Sequence, residues 1–374
     1  MPHTYDFIII GGGIAGASVG YHLAPFGKVI LCEMESQPGY HTTGRSAAFY
    51  AETYGGPDIR PLTMYSKSFF KTPPEGFCDV PLISKRGAIH IFDESKRQHA
   101  EDICADMQKL LEEVHIISRQ KVIDMAPILS ATNIAGAIVD PDCCDLDVSA
   151  LHQGYLRGFK QRGGELLCDA EMIEAKRDQD VWIVQTRRGV MSAKVVINCA
   201  GAWGDVVADC AGVEPLGLKP LRRTIVMVPA VEINSDGPIV LDIDEDYYFK
   251  PEGGQYLVSP ADETLSPACD AQPEMEDVAI AVDKFERATN SHVQRIENSW
   301  AGLRTFAPDR APVIGFDDQC SGFFWSVGQG GYGIQTAPAW SAAAAALILS
   351  GDLPDDLKNM GANKDKYSPS RFRK

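Results

Sequence analysis

Apolar residues near the start of the chain follow the order strand, turn, helix, strand. Residues 5–10 form a short, largely β-branched run, and apolar side chains recur at roughly helical spacing over residues 17–23. The sequence GGGIAG lies between these two segments, and a second apolar run occupies residues 28–32. The pattern predicts two strands joined by a tight glycine turn and a helix.

Further apolar runs predict a second sheet in the middle of the chain. Residues 259–277 are rich in Pro and acids and predict a loop, which is followed by a helix to residue 290 that covers the sheet. An Ala-rich helix is expected to end near Leu349. The other predicted strands are residues 193–199, 224–229, 247–250 and 255–259, and residues 323–335 are expected to run from a strand into a glycine-rich turn.

The glycine turn has the spacing of a dinucleotide-binding site. Gly11 permits the tight turn, Gly13 lets the backbone approach a pyrophosphate, and Gly16 allows close packing of helix on strand. The pyrophosphate would rest on the helix N-terminus, where free N–H groups favour negative charge. Glu33 lies 17 residues after Gly16, near the offset expected for an acid that binds a ribose 2′-OH. This favours FAD or NAD over NADP, and the motif alone does not choose between the first two.

Composition argues against several classes of partner. The chain has 374 residues, 35 Lys plus Arg against 51 Asp plus Glu, and a formal charge of -16. We therefore expect neither nucleic acid nor an anionic membrane surface as a partner, and a carboxylate substrate would need local Arg residues in a pocket. The N-terminus lacks a signal-peptide pattern, and no apolar run is long enough to span a bilayer. The 10 cysteines include no CxxC pair and are interpreted as reduced thiols of a cytoplasmic protein.

Four segments resemble the D-amino-acid oxidase superfamily of FAD-dependent enzymes, in its glycine oxidase and D-amino-acid dehydrogenase branch. They are QPGYHTTGRSAA (residues 37–48), AKVVINC leading into AGAW (193–203), SWAGLRTFAPDRAPVIG (299–315) and FFWSVGQGGYGIQ (323–335). Small residues at the end of the first segment are expected to open a helix. The segments QPGYHTTGRSAA, ALHQGYLRG, PLGLKPLRR and GQGGYGIQT are also similar to bacterial FAD-dependent D-arginine dehydrogenase.

The resemblance implies an α/β fold with a Rossmann-like FAD-binding domain of the glutathione-reductase type and a mixed β-sheet substrate domain. The expected bounds are 1–80, 145–215 and 300–374 for the FAD-binding domain and 81–144 and 216–299 for the substrate domain. Non-covalent FAD is expected, because no cysteine lies beside Arg304, where sarcosine-type relatives often attach the flavin.

The FAD contacts implied by the resemblance come from the glycine turn, the polar loop and the two later turns. They are Gly11, Gly13, Ile14, Ala15, Gly16, Glu33, Thr43, Arg45, Ser46, Ala47, Met172, Ala200, Gly201, Trp203, Gly330, Gly331, Tyr332, Gly333, Ile334 and Gln335. The last turn directs a second helix N-terminus at the flavin.

The resemblance also implies a grip on a substrate carboxylate. A planar Arg fork matches a carboxylate, and Arg304 and Arg223 occupy the family positions for it. The hydroxyls of Tyr54 and Tyr248 are expected as further donors. Because strand faces alternate, only one of Arg222 and Arg223 can face the pocket.

Two positions of the implied pocket are less polar than in the D-arginine enzyme. Ala88 stands where that enzyme carries an acid, and Phe49 stands where it has a His; Gly331 and Gln335 complete the pocket. A cationic side chain buried without a carboxylate is strongly disfavoured. We therefore expect oxidation of an apolar or aromatic D-amino acid by hydride transfer from Cα to flavin N5, which gives an imino acid that hydrolyses to a 2-oxo acid and ammonia.

Other functions stay open on the sequence alone. An N-methyl or cyclic secondary amino-acid oxidase of the sarcosine type fits the same motifs. A 2-hydroxy-acid dehydrogenase would need a base, with His41 or His90 placed at the flavin. Non-enzymatic flavin binding and NAD binding are further alternatives. The electron acceptor (oxygen, a quinone or another), the substrate's chirality and the oligomeric state cannot be derived from the sequence.

Overall fold

The structure is a computed structural model that describes residues 3–229 and 233–373. Its strands, in chain order, are β1 (His3–Ile10), β2 (Val29–Cys32), β3 (Phe49–Tyr50), β4 (Ile83–Lys85), β5 (Ala88–Phe92), β6 (His115–Ser118), β7 (Gly136–Asp140), β8 (Cys144–Leu146), β9 (Glu165–Leu167), β10 (Met172–Asp178), β11 (Val181–Thr186), β12 (Gly189–Asn198), β13 (Lys219–Pro229), β14 (Ile239–Asp242), β15 (Tyr248–Glu252), β16 (Gln255–Ser259), β17 (Thr264–Leu265), β18 (Asn298–Phe306), β19 (Val313–Phe316) and β20 (Phe323–Val327). Its α-helices are α1 (Ile14–Leu23), α2 (Arg60–Lys71), α3 (Arg97–Gln108), α4 (Arg119–Met125), α5 (Val148–Gln161), α6 (Gly204–Cys210), α7 (Met275–Ala288), α8 (Gly333–Ser350), α9 (Asp355–Asn359) and α10 (Lys364–Tyr367). Short 3₁₀ turns occupy Ala24–Phe26, Glu94–Lys96, Ala131–Asn133, Gly201–Trp203 and Pro369–Phe372.

The first sheet carries the N-terminal unit at its centre. Strands β9, β2, β1, β12 and β20 are parallel neighbours in that order, and antiparallel β10, β11 and β19 extend the sheet. Helices α1, α5 and α8 pack together on one face. The carboxyl ends of β1, β12 and β20 therefore meet at one edge, where ligands of such sheets bind.

Small residues bring these helices close to the sheet and to one another. A Cβ added to Gly16 would lie 1.9 Å from the backbone oxygen of Gly11, so only glycine fits at this crossing. The Ala-rich α8 buries Ala337, Ala343 and Ala344 completely, and it ends at Gly351 in the left-handed conformation (φ 78°).

The second sheet has nine strands and two different faces. Strands β14 and β5 are parallel and the other neighbours are antiparallel, so the sheet is mixed. Helix α7 covers one face, where Phe285 packs with Val226 and Val258. The other face presents Ile225 and Tyr248 in a separate apolar cluster. A third, small sheet joins β3, β8 and β4.

The predicted fold class is confirmed, and one local prediction is wrong. The small residues after Ser46 open no helix, because Phe49 and Tyr50 pair with β8 as a short strand. The domain boundaries stay predictions; strand β18 crosses the boundary expected at residue 300 and pairs along its length with β13 of the second sheet. No helix within the described ranges is both long and apolar enough to cross a membrane. All ten cysteines are free thiols.

Candidate active site

A large cavity lies at the edge where β1, β12 and β20 end, between the first sheet and strands β13 and β18. Its empty volume is about 1570 Å³, including the open mouth. Most residues predicted for the site line it: Gly11, Gly13, Ile14, Ala15, Glu33, Thr43, Arg45, Ser46, Ala47, Met172, Ala200, Gly201, Trp203, Arg223, Tyr248, Arg304, Gly330, Gly331, Gly333 and Ile334. The sheet topology therefore brings together segments that are more than 300 positions apart in the chain.

The glycine turn forms one wall with an exposed helix N-terminus. Gly11 has φ 104°, and a Cβ there would lie 2.6 Å from the Cys199 backbone oxygen, so both conformation and space require glycine. Gly13 is the N-cap of α1, whose first turn contains no acid. The Ile14 N–H donates to the Thr43 hydroxyl at 3.0 Å. This wall suits an anionic group such as a pyrophosphate.

Glu33 lies at the end of β2 with its carboxylate fixed by backbone donors. One oxygen accepts from the Gly12 N–H at 2.7 Å, and the other accepts from the Glu35 N–H at 2.9 Å. The side chain is buried, and burial raises the pKa of Glu33. Glu33 lines the cavity, and its role in binding a ribose stays a prediction.

The polar loop after β2 contributes a second wall, in which Arg45 is tied to the protein itself. Its guanidinium donates to the backbone oxygens of Ala271 (2.7 Å) and Ala301 (3.0 Å) and pairs with Asp270. The Tyr40 hydroxyl also donates to Asp270, at 3.4 Å. Arg45 thus joins this loop to the segment before α7, and its predicted contact with FAD stays a prediction.

His41 lies in the same wall with partners that explain its position. Its Nε2 is 2.9 Å from a Glu35 carboxylate oxygen, and its ring centroid is 4.6 Å from that of Trp203. Both rings line the cavity. His41 therefore neighbours Glu35 and Trp203, and none of its described contacts is with Arg304.

Besides the Nδ1 of His41, two polar groups in the cavity wall lack hydrogen-bond partners among the described residues. Thr305 is 5% exposed, and its hydroxyl forms no hydrogen bond with any described residue. The Gln329 amide nitrogen is likewise buried without a partner among those residues. Buried polar groups without partners are rare, so both call for a ligand that supplies hydrogen bonds. The sequence reasoning missed these two residues, although each is adjacent to a predicted site residue.

The register of β13 and β18 decides between the two neighbouring arginines. Arg223 is opposite Gly302 and lines the cavity, where its Nε donates to the Asp262 backbone oxygen at 2.8 Å. Arg222 points to the other face of the sheet, where it pairs with Asp277 of α7 at 2.8 Å and with Glu274. Arg223 is therefore the one that can meet a substrate.

Arg304 is the cavity cation with the fewest partners. Its Nη1 donates to the Tyr54 hydroxyl at 3.3 Å, and no described acid forms an ion pair with it. A Cβ added to Gly331 would lie 2.8 Å from Nη1, so glycine at this turn leaves room for the guanidinium. Burial by itself lowers the pKa of Arg304, but the neighbouring hydroxyls of Tyr54 and Tyr248 raise it by more. The net pKa is above that of a free arginine, so the side chain stays charged. Glu245 interacts electrostatically with Arg304 from the β14–β15 hairpin.

The other predicted pocket residues pack next to the cavity without being part of its lining. The ring of Phe49 packs against that of Tyr54 with centroids 5.0 Å apart and planes tilted by 45°, and the Tyr332 ring centroid lies 4.9 Å from that of Tyr54. Ala88 is buried in the apolar cluster that contains Ile225 and Tyr248, and Phe49 and Tyr54 pack against the same cluster. This cluster forms an apolar wall around the cavity residues Ile225 and Tyr248.

Gln335 does not line the cavity, because every polar atom of its side chain is used inside the fold. Its oxygen accepts from the Ala51 N–H at 3.2 Å. Its nitrogen donates to the Tyr54 backbone oxygen at 3.3 Å and to the Thr63 hydroxyl at 3.1 Å. The structure therefore provides no direct support for the predicted contacts of Gln335 with FAD or substrate.

The glycine turn of dinucleotide-binding spacing and two arginines, Arg223 and Arg304, line the same cavity, as expected for an enzyme that binds a dinucleotide cofactor. The profile of the family described as FAD dependent oxidoreductase (DAO) matches residues 6–347. The chain belongs to this family and is an FAD-dependent enzyme. The glycine walls and the unpartnered groups of Thr305 and Gln329 fit FAD, which supplies a hydride acceptor when bound.

Relatives and solved structures agree with this assignment. The hydrogen cyanide synthase subunit HcnC of Pseudomonas aeruginosa is 26% identical over 99% of this chain and 98% of its own length. Glycine oxidase of Bacillus subtilis is 23% identical over 95% of this chain and 96% of its own. Human mitochondrial dimethylglycine dehydrogenase is 23% identical over 98% of this chain, which spans 45% of that protein.

Two solved structures share the fold along their whole length. L-proline dehydrogenase from P. horikoshii superposes with a TM-score of 0.86 at 19% identity, covering 100% of this chain and 98% of that one. Glycine oxidase from Geobacillus kaustophilus gives 0.85 at 21% identity, covering 99% of each chain. The resemblance to the D-arginine dehydrogenase branch in particular stays a prediction.

Proposed function

We propose that this enzyme oxidises a small amino acid with an apolar or aromatic side chain at its Cα–N bond, with D-amino acids as the first candidates. The observation that carries the proposal is that the cavity cation Arg304 has no described acid as an ion-pair partner. It lines the cofactor cavity, forms a hydrogen bond with the hydroxyl of Tyr54, and forms no ion pair in the described part of the chain. A charge in this state is costly unless an anion joins it, and a carboxylate matches the Arg fork.

The neighbouring groups support a grip that both binds and orients. Arg223 lies on the same cavity face, two strand positions from Ile225, and Tyr248 lines the cavity beside them. Arg304 and Arg223 would fix the carboxylate, and the two would thereby hold Cα in place for hydride loss. In this proposal the chain's own residues bind and orient the substrate, and the amine proton leaves to solvent.

Apolar surroundings favour an apolar substrate side chain. The wall behind Ile225 and Tyr248 contains Ala88 and Leu257, and Phe49 packs against it. Asp140, the cross-strand neighbour of Ala88, is fully buried and is held by hydrogen bonds within the protein. The apolar wall offers no carboxylate to a cationic side chain such as that of arginine, and Glu245 already interacts electrostatically with Arg223 and Arg304, which makes arginine a poor substrate.

The second candidate is an N-methyl or cyclic secondary amino acid. The chain is similar to proteins named dimethylglycine dehydrogenase and L-proline dehydrogenase, and both names denote secondary or tertiary amines. The preference for D-amino acids derives from the motif resemblance to D-arginine dehydrogenase. A 2-hydroxy acid is less favoured, because His90 lies outside the cavity lining and His41 has no described contact with Arg304.

The test is anaerobic reduction of the bound flavin by a panel of substrates. Purified holoenzyme is mixed with D- and L-leucine, D- and L-phenylalanine, sarcosine, L-proline, D-arginine and D-lactate, and bleaching of the visible flavin spectrum is followed. Fast bleaching by D-leucine or D-phenylalanine, with slow bleaching by D-arginine, is the expected result. Bleaching by sarcosine or proline alone would transfer the proposal to the second candidate, and bleaching by D-lactate alone would refute both.

A further inference from the structure

The segment from Tyr50 to Tyr54 is anchored at almost every residue. The Tyr50 hydroxyl donates to the Thr63 backbone oxygen at 3.2 Å, and Glu52 pairs with Lys67. The side chain of Gln335 on α8 bonds to the backbone of the segment at Ala51 and at Tyr54. Tyr54 therefore reaches Arg304 from a turn whose position is set by several distant elements.

Thr53 is anchored by a buried carboxylate, a group whose burial costs free energy of folding. Its hydroxyl donates to a carboxylate oxygen of Asp140 at 2.6 Å, and the second oxygen accepts from the Asp142 N–H at 3.0 Å. Asp140 has no exposed surface and forms no ion pair among residues 3–229 and 233–373. Burial of a carboxylate without a cation costs stability, and an apolar side chain of similar size would fill the same space at less cost.

The acid lies directly beside the substrate side of the second sheet. Asp140 is the cross-strand neighbour of Ala88, which belongs to the apolar wall, and it is the last residue of β7. It neither lines the cavity nor touches Arg304. The hydrogen bond to Thr53 offers Asp140 a path to the substrate grip through the adjacent Tyr54.

We propose that Asp140 is a positioning residue for the carboxylate grip: through the Thr53 hydroxyl it fixes the turn that holds the Tyr54 hydroxyl on Arg304. One peptide unit separates Thr53 from Tyr54, so a rotation of the Thr53 backbone moves the phenol away from the guanidinium. The hydrogen bond from Arg304 is already 3.3 Å long, so small displacements break it. This inference rests on the proposed role of Arg304 in binding a carboxylate.

The test uses Thr53 variants of the holoenzyme, with benzoate as a carboxylate that has no Cα hydride to lose. Thr53→Val removes the hydroxyl and keeps the volume, and Thr53→Ser retains the hydroxyl. The dissociation constant of benzoate is measured from perturbation of the flavin spectrum. Loss of one hydrogen bond within the grip is expected to raise this constant about 3- to 10-fold in Thr53→Val, whereas Thr53→Ser stays within about twofold of the wild type.

A double-mutant cycle shows whether the effect passes through the phenol. Tyr54→Phe alone is expected to weaken benzoate binding to a similar extent, and Thr53→Val added to Tyr54→Phe should then cause no further loss. Additive losses would overturn the proposal, because Thr53 would act independently of Tyr54. Benzoate binding unchanged in Thr53→Val would also overturn it and would leave Asp140 with a purely structural role.

Controls separate this inference from stability and from the proposed function. Thr186→Val removes another buried hydroxyl, which bonds locally to the Gly189 backbone oxygen in the β11–β12 hairpin; it should lower the melting temperature and leave benzoate binding unchanged. If Thr53→Val does not fold, Thr53→Ala carries the same test. Unchanged benzoate binding in Arg304→Ala would refute the carboxylate grip itself, whereas a loss there with none in Thr53→Val refutes only the role of Asp140.

Discussion

Replacing Arg304 with Ala removes the cavity cation that no described acid neutralises. Its guanidinium has five N–H groups, and the structure accounts for one of them with the hydroxyl of Tyr54. A carboxylate gripped by two of the others would gain two charge-assisted hydrogen bonds of about 1.5–3 kcal/mol each. Because Arg223 and water would retain part of this gain, we expect a loss of about 2–4 kcal/mol in kcat/KM, or about 30- to 1,000-fold.

Stopped-flow flavin reduction, with the best substrate of the panel, measures this loss directly. Arg304→Lys should fall between wild type and Arg304→Ala, because the ammonium keeps the charge and loses the fork. Arg222→Ala is the matched control: it removes a neighbouring arginine on the opposite face of β13 and should lower the melting temperature while leaving kcat/KM nearly unchanged. A kcat/KM in Arg304→Ala within twofold of the wild type would remove this residue from the site and would leave the proposed function without its main support.

Three further predictions test other parts of the structure. Asp270→Ala breaks the ion pair with Arg45 and should speed FAD release severalfold. The release rate is measured by recovery of free-flavin fluorescence after dilution. Asp106→Ala breaks the similarly exposed ion pair of Asp106 on α3 with Arg60 and should leave FAD release unchanged. Burial lowers the pKa of His90 to about 4. As the pH falls, the unfolded chain therefore binds the proton first, and the free energy of unfolding should fall by up to about 3 kcal/mol between pH of about 6.5 and 4. Urea unfolding of His90→Leu should lack this part of the pH dependence. Ala88→Glu puts a second acid beside a buried carboxylate on the neighbouring strand and should lower the free energy of unfolding by about 3–5 kcal/mol, and normal stability in urea would contradict that placement.

The cofactor half of the site could be predicted because its signals are local in sequence. Gly11 and Gly16 are five positions apart, and the reasons for glycine at each, a turn and a close helix crossing, are visible in the spacing itself. Glu33 follows from the end of the next strand. The fold class follows in the same way, because the parallel unit at the N-terminus and the alternating strands after residue 219 are periodic patterns.

The substrate half of the site could be predicted only in part. It depends on the pairing register of neighbouring strands and on which face of a helix each side chain occupies. Two adjacent arginines are equivalent in sequence, and the pairing of Arg223 with Gly302 on β18 is what turns Arg223 towards the cavity and Arg222 towards α7. Gln335 lies one position from the cavity residue Ile334, and the helical turn rotates it into the fold. The contact of Thr53 with Asp140 joins residues 87 positions apart and leaves no local signal.

The placement of Arg304 explains why substrate binding and cofactor binding should be coupled in this enzyme. Its strand β18 belongs to the second sheet, and the next residue, Thr305, presents an unpartnered hydroxyl to the cavity and accepts the Gly330 N–H on its backbone oxygen at 2.8 Å. That bond connects the arginine strand to the glycine turn that opens α8 on the first sheet. Through this bond, a ligand that orders the turn is expected to order the strand that carries Arg304 as well. The carboxylate grip proposed for Arg304 should therefore weaken when the cofactor turn beside it is disordered.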